Sequence, residues 1–313
     1  MAKTIADAAP DNMNSYHGFF DRRPTDQTQA LLATIADDGP GVGLDAMSRI
    51  DVPTLVIGTM RITVGSIVLI LLALGRHSFR DGGHWPRIPT VLAILSTALY
   101  QISFFGGTAL TGVAVGTVVG IGATPIFAGV LEVIFLRQRL TRRWWVATTL
   151  AIMGCVLLLA TGESLTIDPL GILLALGAGL SYAIFTMASK VVLAYQKPDA
   201  VMAVVFGFAA VLLMPLLFIN ETAWIATPDG RLIVLYLGVI VTGLSYAFFG
   251  RGLRLVPAAT AATLTLAEPL TAALLGIFLL REAVPPIGMV GIVLIFVGLA
   301  LLTLGPRAKQ VPE

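Results

Sequence analysis

The sequence predicts an all-α, polytopic membrane protein. Three observations carry this. Apolar residues make up 57% of the 313-residue chain against 12% charged, with a mean hydropathy of +0.90, whereas soluble globular domains carry about 25% charged residues. The charges are also segregated: 12 of the 38 fall in residues 1–51, which leaves 26 for the other 262 residues. From Val52 onward, apolar segments long enough to cross a bilayer recur with short polar breaks. A water-facing surface cannot be built from that remainder, so a soluble enzyme, a nucleic-acid binder and a disordered regulator are all disfavoured.

Residues 1–51 read as a polar, disordered N-terminal tail. Its first 50 residues hold seven Asp and four Lys/Arg, and its longest apolar stretch, Ala30 to Ala36, falls far short of the roughly 20 residues a spanning helix needs. No apolar core follows a basic start, so it does not resemble a signal peptide. Beyond the tail come nine spans, at about 52–74, 88–107, 113–136, 144–161, 168–189, 200–219, 231–250, 256–280 and 286–304. Asp51-Val52-Pro53 and Asp168-Pro169 put a capping Asp and an early Pro at the mouths of the first and fifth spans. Helices satisfy every backbone group within the segment, which the bilayer core demands. A closed barrel would need alternating segments of about ten residues, and these are absent.

The cation distribution orients the spans. Alternate connections and the C-terminal tail hold Arg76, Arg80, Arg87, Arg137, Arg139, Arg142, Arg143, Lys190, Lys197, Arg251, Arg254, Arg307 and Lys309; the intervening ones hold only Arg231 and Arg281. Thirteen against two assigns the C-terminus, including the tail at 305–313, to the cytoplasmic side of the cell membrane. The three histidines, His17, His77 and His84, lie outside the spans, and the single cysteine, Cys155, excludes an intrachain disulfide. The net charge of +2 reflects basic loops rather than a nucleic-acid-binding patch.

An internal repeat is present. A shift of 144 residues aligns about 88–161 with 232–305 without a gap, placing Phe104-Phe105-Gly106 on Phe248-Phe249-Gly250, Pro125 on Pro269, Leu136-Arg137 on Leu280-Arg281 and Gly154 on Gly298. The second span starts at a basic connection and the seventh at an acidic one, so the two copies are inverted. Inverted repeats are a common design of secondary transporters, with the substrate site near the midplane between them. The first copy covers 52–161 with four helices and the second 168–304 with five; the partner of the fifth span would fall near residues 20–50, where no span is found.

Several segments carry a family resemblance: Thr59-Met60-Arg61-Ile62, Thr124-Pro125-Ile126-Phe127-Ala128, Leu136-Arg137-Gln138-Arg139-Leu140, Leu180-Ser181-Tyr182-Ala183, and Ala267-Glu268-Pro269-Leu270 with Leu280-Arg281-Glu282. Over about 52–304 the chain resembles the EamA-like family of the drug/metabolite transporter superfamily. The resemblance implies two five-helix halves, so a 4+5 chain lacks the usual first helix, which helps line the central cavity. It also implies transport of a small metabolite, in the export direction.

Polar groups inside spans supply the candidate site residues. Arg61 is about nine residues, roughly 13 Å, into the first span. A cation there costs at least about 2.5–3.5 kcal/mol, so it must face a partner or a wet cavity. It is either an anchor for a substrate carboxylate or phosphate, or a structural ion pair or hydrogen-bond anchor to backbone carbonyls. Glu268, at similar depth before Pro269, is either a proton-coupling or substrate-amine site, or the partner of Arg61 or a kink stabiliser. Tyr100 and Gln101, Ser181 and Tyr182, and Ser245 and Tyr246 form polar–aromatic clusters with neighbouring phenylalanines, suited to an organic solute; helix packing is the alternative for each. Pro125 and Pro269 are paired helix-bend candidates. Glu132 is expected to pair with the basic loop at Arg137, Trp144 and Trp145 to anchor at the interface, and the small residues Gly112, Gly116, Gly120 and Gly171, Ala175, Gly179 to pack helices closely.

The expected function is a secondary transporter or facilitator moving a small, amino-acid-like or drug-like solute across the cell membrane by alternating access, as an exporter. Protons are a candidate coupling ion, and a homodimer is a candidate assembly. The alternative is a non-transporting or truncated membrane subunit lacking the first helix. The spans hold no His, no ligand cluster and no phosphate-binding Gly-rich signature. Neither catalysis, a metal, a cofactor nor ATP-driven pumping is therefore expected.

Overall fold

The computed structural model of the chain describes residues 54–80, 83–137, 139–159, 168–220, 222–279 and 284–304. The two tails read from the sequence lie outside them. Every regular element among the described residues is helical. In order these are α1 (Thr54–Gly75), α2 (Arg87–Thr111), α3 (Val113–Phe135), α4 (Arg142–Leu159), α5 (Pro169–Val192) and α6 (Pro198–Leu213, prolonged by Pro215–Phe218). Then come α7 (Pro228–Leu255), α8 (Ala258–Leu264, resuming as Ala267–Leu279) and α9 (Pro286–Thr303). Each of the nine expected spans falls on one of these. Eight of the helices are long and apolar enough to cross a membrane; the other, α4, is an 18-residue helix that opens on Arg142-Arg143.

Local chemistry accounts for the helix boundaries. The Asp168 carboxylate accepts the Gly171 N–H at 2.9 Å with Pro169 in the first turn, and the Thr227 hydroxyl accepts the Gly230 N–H at 3.1 Å ahead of Pro228. One residue, Gly112, links α2 to α3; its φ of +82° is a conformation only glycine adopts without strain. Hydroxyls inside the bundle donate to carbonyls one turn back, as Thr59 does to Leu55, Thr97 to Ala93 and Thr124 to Gly120, all at 2.8 Å. This spares them the cost of an unmet polar group in hydrocarbon. The bundle wears its apolar side chains outward: Leu71, Leu173, Phe248 and Phe296 are each more than 60% exposed, a surface suited to lipid rather than water.

The repeat is visible in the packing. A Cβ on Gly154 of α4 would meet the Gly291 carbonyl at 2.6 Å and Ile295, while one on Gly298 of α9 would meet the Ala147 carbonyl at 2.6 Å and Ala151. Gly298, Gly291 and Ile295 lie 144 residues after Gly154, Ala147 and Ala151, so the contact maps onto itself when the copies are exchanged. Because α4 and α9 are antiparallel, that exchange is a two-fold rotation about an axis across the helices. The glycine stripes pack within the chain: Gly179 of α5 lies against the Gly120 carbonyl of α3, and Gly107 of α2 against the backbone of Ala175 and Gly171.

Two expectations are corrected. Trp144 is only 4% exposed and fills the space beside Gly129, whereas Trp145 is 52% exposed and remains at the surface. Glu132 turns away from the basic loop into the bundle: it is 1% exposed, and its Oε2 accepts the Ala259 N–H at 2.6 Å. The reason is that α8 begins at Val256-Pro257-Ala258 with no capping side chain of its own.

The α4–α9 contact predicts that Gly154→Ala and Gly298→Ala each destabilise the protein by about 1–3 kcal/mol through overpacking against backbone. Gly252→Ala, which lies inside its helix and meets nothing within 4 Å, should leave the thermal unfolding midpoint in detergent level or slightly raised.

Candidate functional site

The helices converge on a cavity of about 70 Å³, lined by Arg61, Tyr100, Gly120, Ile121, Thr124, Tyr182, Val241, Tyr246, Thr265 and Glu268. These come from α1, α2, α3, α5, α7 and α8, so both copies build the wall. Ile121 and Thr265 are repeat-equivalent, as are Thr124 and Glu268. The cavity therefore straddles the pseudo-two-fold.

Arg61 is held by α1 with 6% exposure. Its Nη2 donates to the Gln101 Oε1 at 3.4 Å, a long bond, and its Nε has no hydrogen-bond partner among the described residues. A guanidinium carries five N–H donors, so this one keeps donor capacity at the cavity wall. Glu268 owes its position to a break in α8. The helix stops at Leu264 and resumes at Ala267, with the Leu266 and Glu268 amides bonding three residues back to Thr263 and Thr265 at 3.1 and 3.0 Å. Pro269 lacks an N–H to continue the ladder. Glu268 thus sits in the first turn of the resumed segment, a turn after Thr265.

Tyr246 lies just past a nine-residue π segment, Tyr236–Leu244, in the middle of α7. A π turn takes one more residue per hydrogen-bonded ring than an α turn and shifts the register of the residues beyond it. This segment packs on α1 through Gly238 and Gly243, against Val64 and Val68. The Tyr100 and Tyr182 rings are 5.6 Å apart, and Tyr182 continues into rings of Phe185 and Phe249 at 5.7 and 6.3 Å. A second space of about 10 Å³, lined by Thr97, Tyr100, Gln101, Tyr182, Phe185, Phe206 and Tyr246, adjoins the first.

Of the residues singled out from the sequence, Arg61, Glu268, Tyr100, Tyr182 and Tyr246 share the cavity, and Gln101 joins them through Arg61 and the smaller space. Ser181 is buried but outside both linings, and Ser245 is exposed with its hydroxyl on the Ile240 carbonyl at 3.1 Å. The two prolines differ: α3 runs unbroken through Pro125, whereas Pro269 comes directly after the interruption in α8. Sequence reasoning passed over Ile121, Thr265 and Val241 as lining residues. Helical spacing could have flagged Thr265, which lies three residues before Glu268. Among the described residues no three His, Cys, Asp or Glu side chains group to hold a metal. The arrangement offers a cation, a carboxyl group and three phenols around one small hollow, the polar complement of a small solute bearing charge of both signs.

Comparison with known proteins agrees with this architecture. Residues 41–160 and 169–304 each match the EamA-like transporter family. The chain is 43% identical over 260 residues to an uncharacterized transporter, YwfM, of Bacillus subtilis (strain 168), covering 83% of this chain and 87% of that one. It is 31% identical over 205 residues to the threonine/homoserine exporter RhtA of Escherichia coli (strain K12), covering 63% of this chain and 67% of that one. A solved crystal structure shares the fold at a TM-score of 0.72 and 20% identity, over 88% of this chain and 96% of that one. With two copies of one helical unit around a shared cavity and the family's pattern matched twice along its length, the chain belongs to the EamA-like transporter family, whose members are multi-pass membrane transporters of small molecules.

Proposed function

We propose that this protein is a secondary transporter that exports a small zwitterionic, amino-acid-like solute by alternating access. The observation that carries the reading is the meeting of Arg61 and Glu268 in one cavity at the junction of the two copies. Arg61 binds the solute carboxylate through its free donors, Glu268 receives the ammonium group, and the three tyrosines hold the body of the solute. The relative named as a threonine/homoserine exporter supports both the solute class and the direction. The bias of Lys and Arg to alternate connections supports insertion in the cell membrane with the C-terminus cytoplasmic. Glu268 is also the residue through which a proton would couple to solute movement, since it is the carboxyl group on the cavity wall.

Flux of labelled amino acids in reconstituted vesicles tests the reading. Arg61→Ala should lower flux about 10- to 100-fold, the worth of a charge-assisted hydrogen bond, while the purified protein keeps its unfolding midpoint; Arg61→Lys should recover part of it. A lower midpoint in step with lost flux would assign Arg61 a structural role instead. Glu268→Gln should flatten the pH dependence of flux, and an unaltered pH profile would remove the coupling role. No flux of any amino acid in the unsubstituted protein would overturn the transporter reading in this form.

A further inference from the structure

At the end of the bundle where the basic connections gather, polar ties cross from one copy to the other. Asp199, at the start of α6, is 8% exposed. It holds Arg76 of the other copy, beyond the end of α1, at 3.4 Å, and within its own copy it holds Arg251 of α7 at 2.6 Å. Gln196 donates to the Gly83 carbonyl at 2.5 Å, between the α5–α6 and α1–α2 connections. Glu132 of α3 takes the Ala259 N–H at the start of α8, and Thr148 of α4 bonds Thr263 of α8 at 3.0 Å. Lys190, beside this corner, donates to the Leu253 and Arg254 carbonyls at 2.8 and 3.0 Å and so finishes the end of α7.

Between these ties and the cavity lies an aromatic plug. Phe206 is eight residues into α6, about 12 Å from its start, and its ring is 4.3 Å from that of Tyr246. Phe185 stacks on Phe249 at 5.9 Å and lies at the same distance from Phe206. The space left among these rings and Thr97 is about 10 Å³, at the lower limit for a single water. No solute passes such a constriction while the ties above it hold.

We propose that Asp199 and Glu132 are the latches of a gate at the basic end, that the structure is the state closed on that side, and that opening there requires Asp199 to release Arg76 and Glu132 to release the Ala259 amide. The proposal rests on the alternating-access reading above. The ties suit the task because both join one copy to the other. The Asp199 tie lies where water can take over the released Arg76 charge, since Arg76 is 53% exposed; the Glu132 tie is buried, so it breaks only as the start of α8 moves away from α3.

Thiol accessibility tests the gate without requiring flux. In a Cys155→Ala background, Thr97→Cys puts a reporter at the plug, and a membrane-impermeant methanethiosulfonate is applied from either face of oriented vesicles. Asp199→Asn should raise the labelling rate from the basic face by about fivefold or more, the scale of a one-latch shift between states. Labelling from the opposite face should stay level or fall. Glu132→Ala, acting through the other tie, should do the same, and carries the test if Asp199→Asn does not fold. An unchanged rate in both variants, or an equal rise from both faces, would overturn the gate. One-sided exposure in a protein that moves no solute would uphold the gate and reject the transport reading.

Discussion

A bilayer core supplies no hydrogen-bond partners, and most of this structure answers to that constraint. Hydroxyls fold back on their own helices, and the uncapped start of α8 borrows the Glu132 carboxylate from α3. The Lys190 ammonium closes the end of α7. The Arg61 Nε is not consumed in this way, and it stands at the cavity wall. Charge inside the bundle thus divides into groups that hold helices together and groups at the cavity wall.

The close glycine contacts matter for a related reason. Apolar side chains gain little by leaving lipid for one another, so helix association depends on close backbone approach. Gly154, Gly291 and Gly298 supply it on the two-fold, and Gly120, Gly171 and Gly179 where α5 crosses α2 and α3. These seams keep the copies in register, and the register brings the two copies' cavity residues to the same hollow.

Much of the fold was legible in the sequence because hydropathy is read one segment at a time. Nine spans, their approximate limits, the 144-residue repeat and the depth of Arg61 and Glu268 all come from local pattern. The convergence of Arg61, Glu268 and the three tyrosines was also within reach, since polar groups in spans must turn inward. What local pattern could not reach was partnership across the bundle. Glu132 pointed to its nearest basic loop, and only the lack of a capping residue at Pro257-Ala258 hinted at its real partner. Asp199 did not stand out at all, because its two arginines are 123 and 52 residues away. The π segment left no trace in an apolar run of that composition, and Trp144 differs from Trp145 only by the face it happens to occupy.

The copies share a scaffold and the arginines of their connections, but not the acids and the arginine inside the bundle. Within the aligned range the counterparts of Glu132 and Glu268 are Gly276 and Thr124, and the same shift carried back into the first span sets Val205 against Arg61. A bundle with perfect internal symmetry would reach its second access state by swapping the roles of its halves, and the two states would then be equal in energy. Here charge sits on one side of each equivalent pair, so that degeneracy is lifted. Under the proposed alternating access, a carrier so built would rest unequally between its two orientations and present sites of different strength to the two compartments, a bias written into side chains rather than supplied by the gradient.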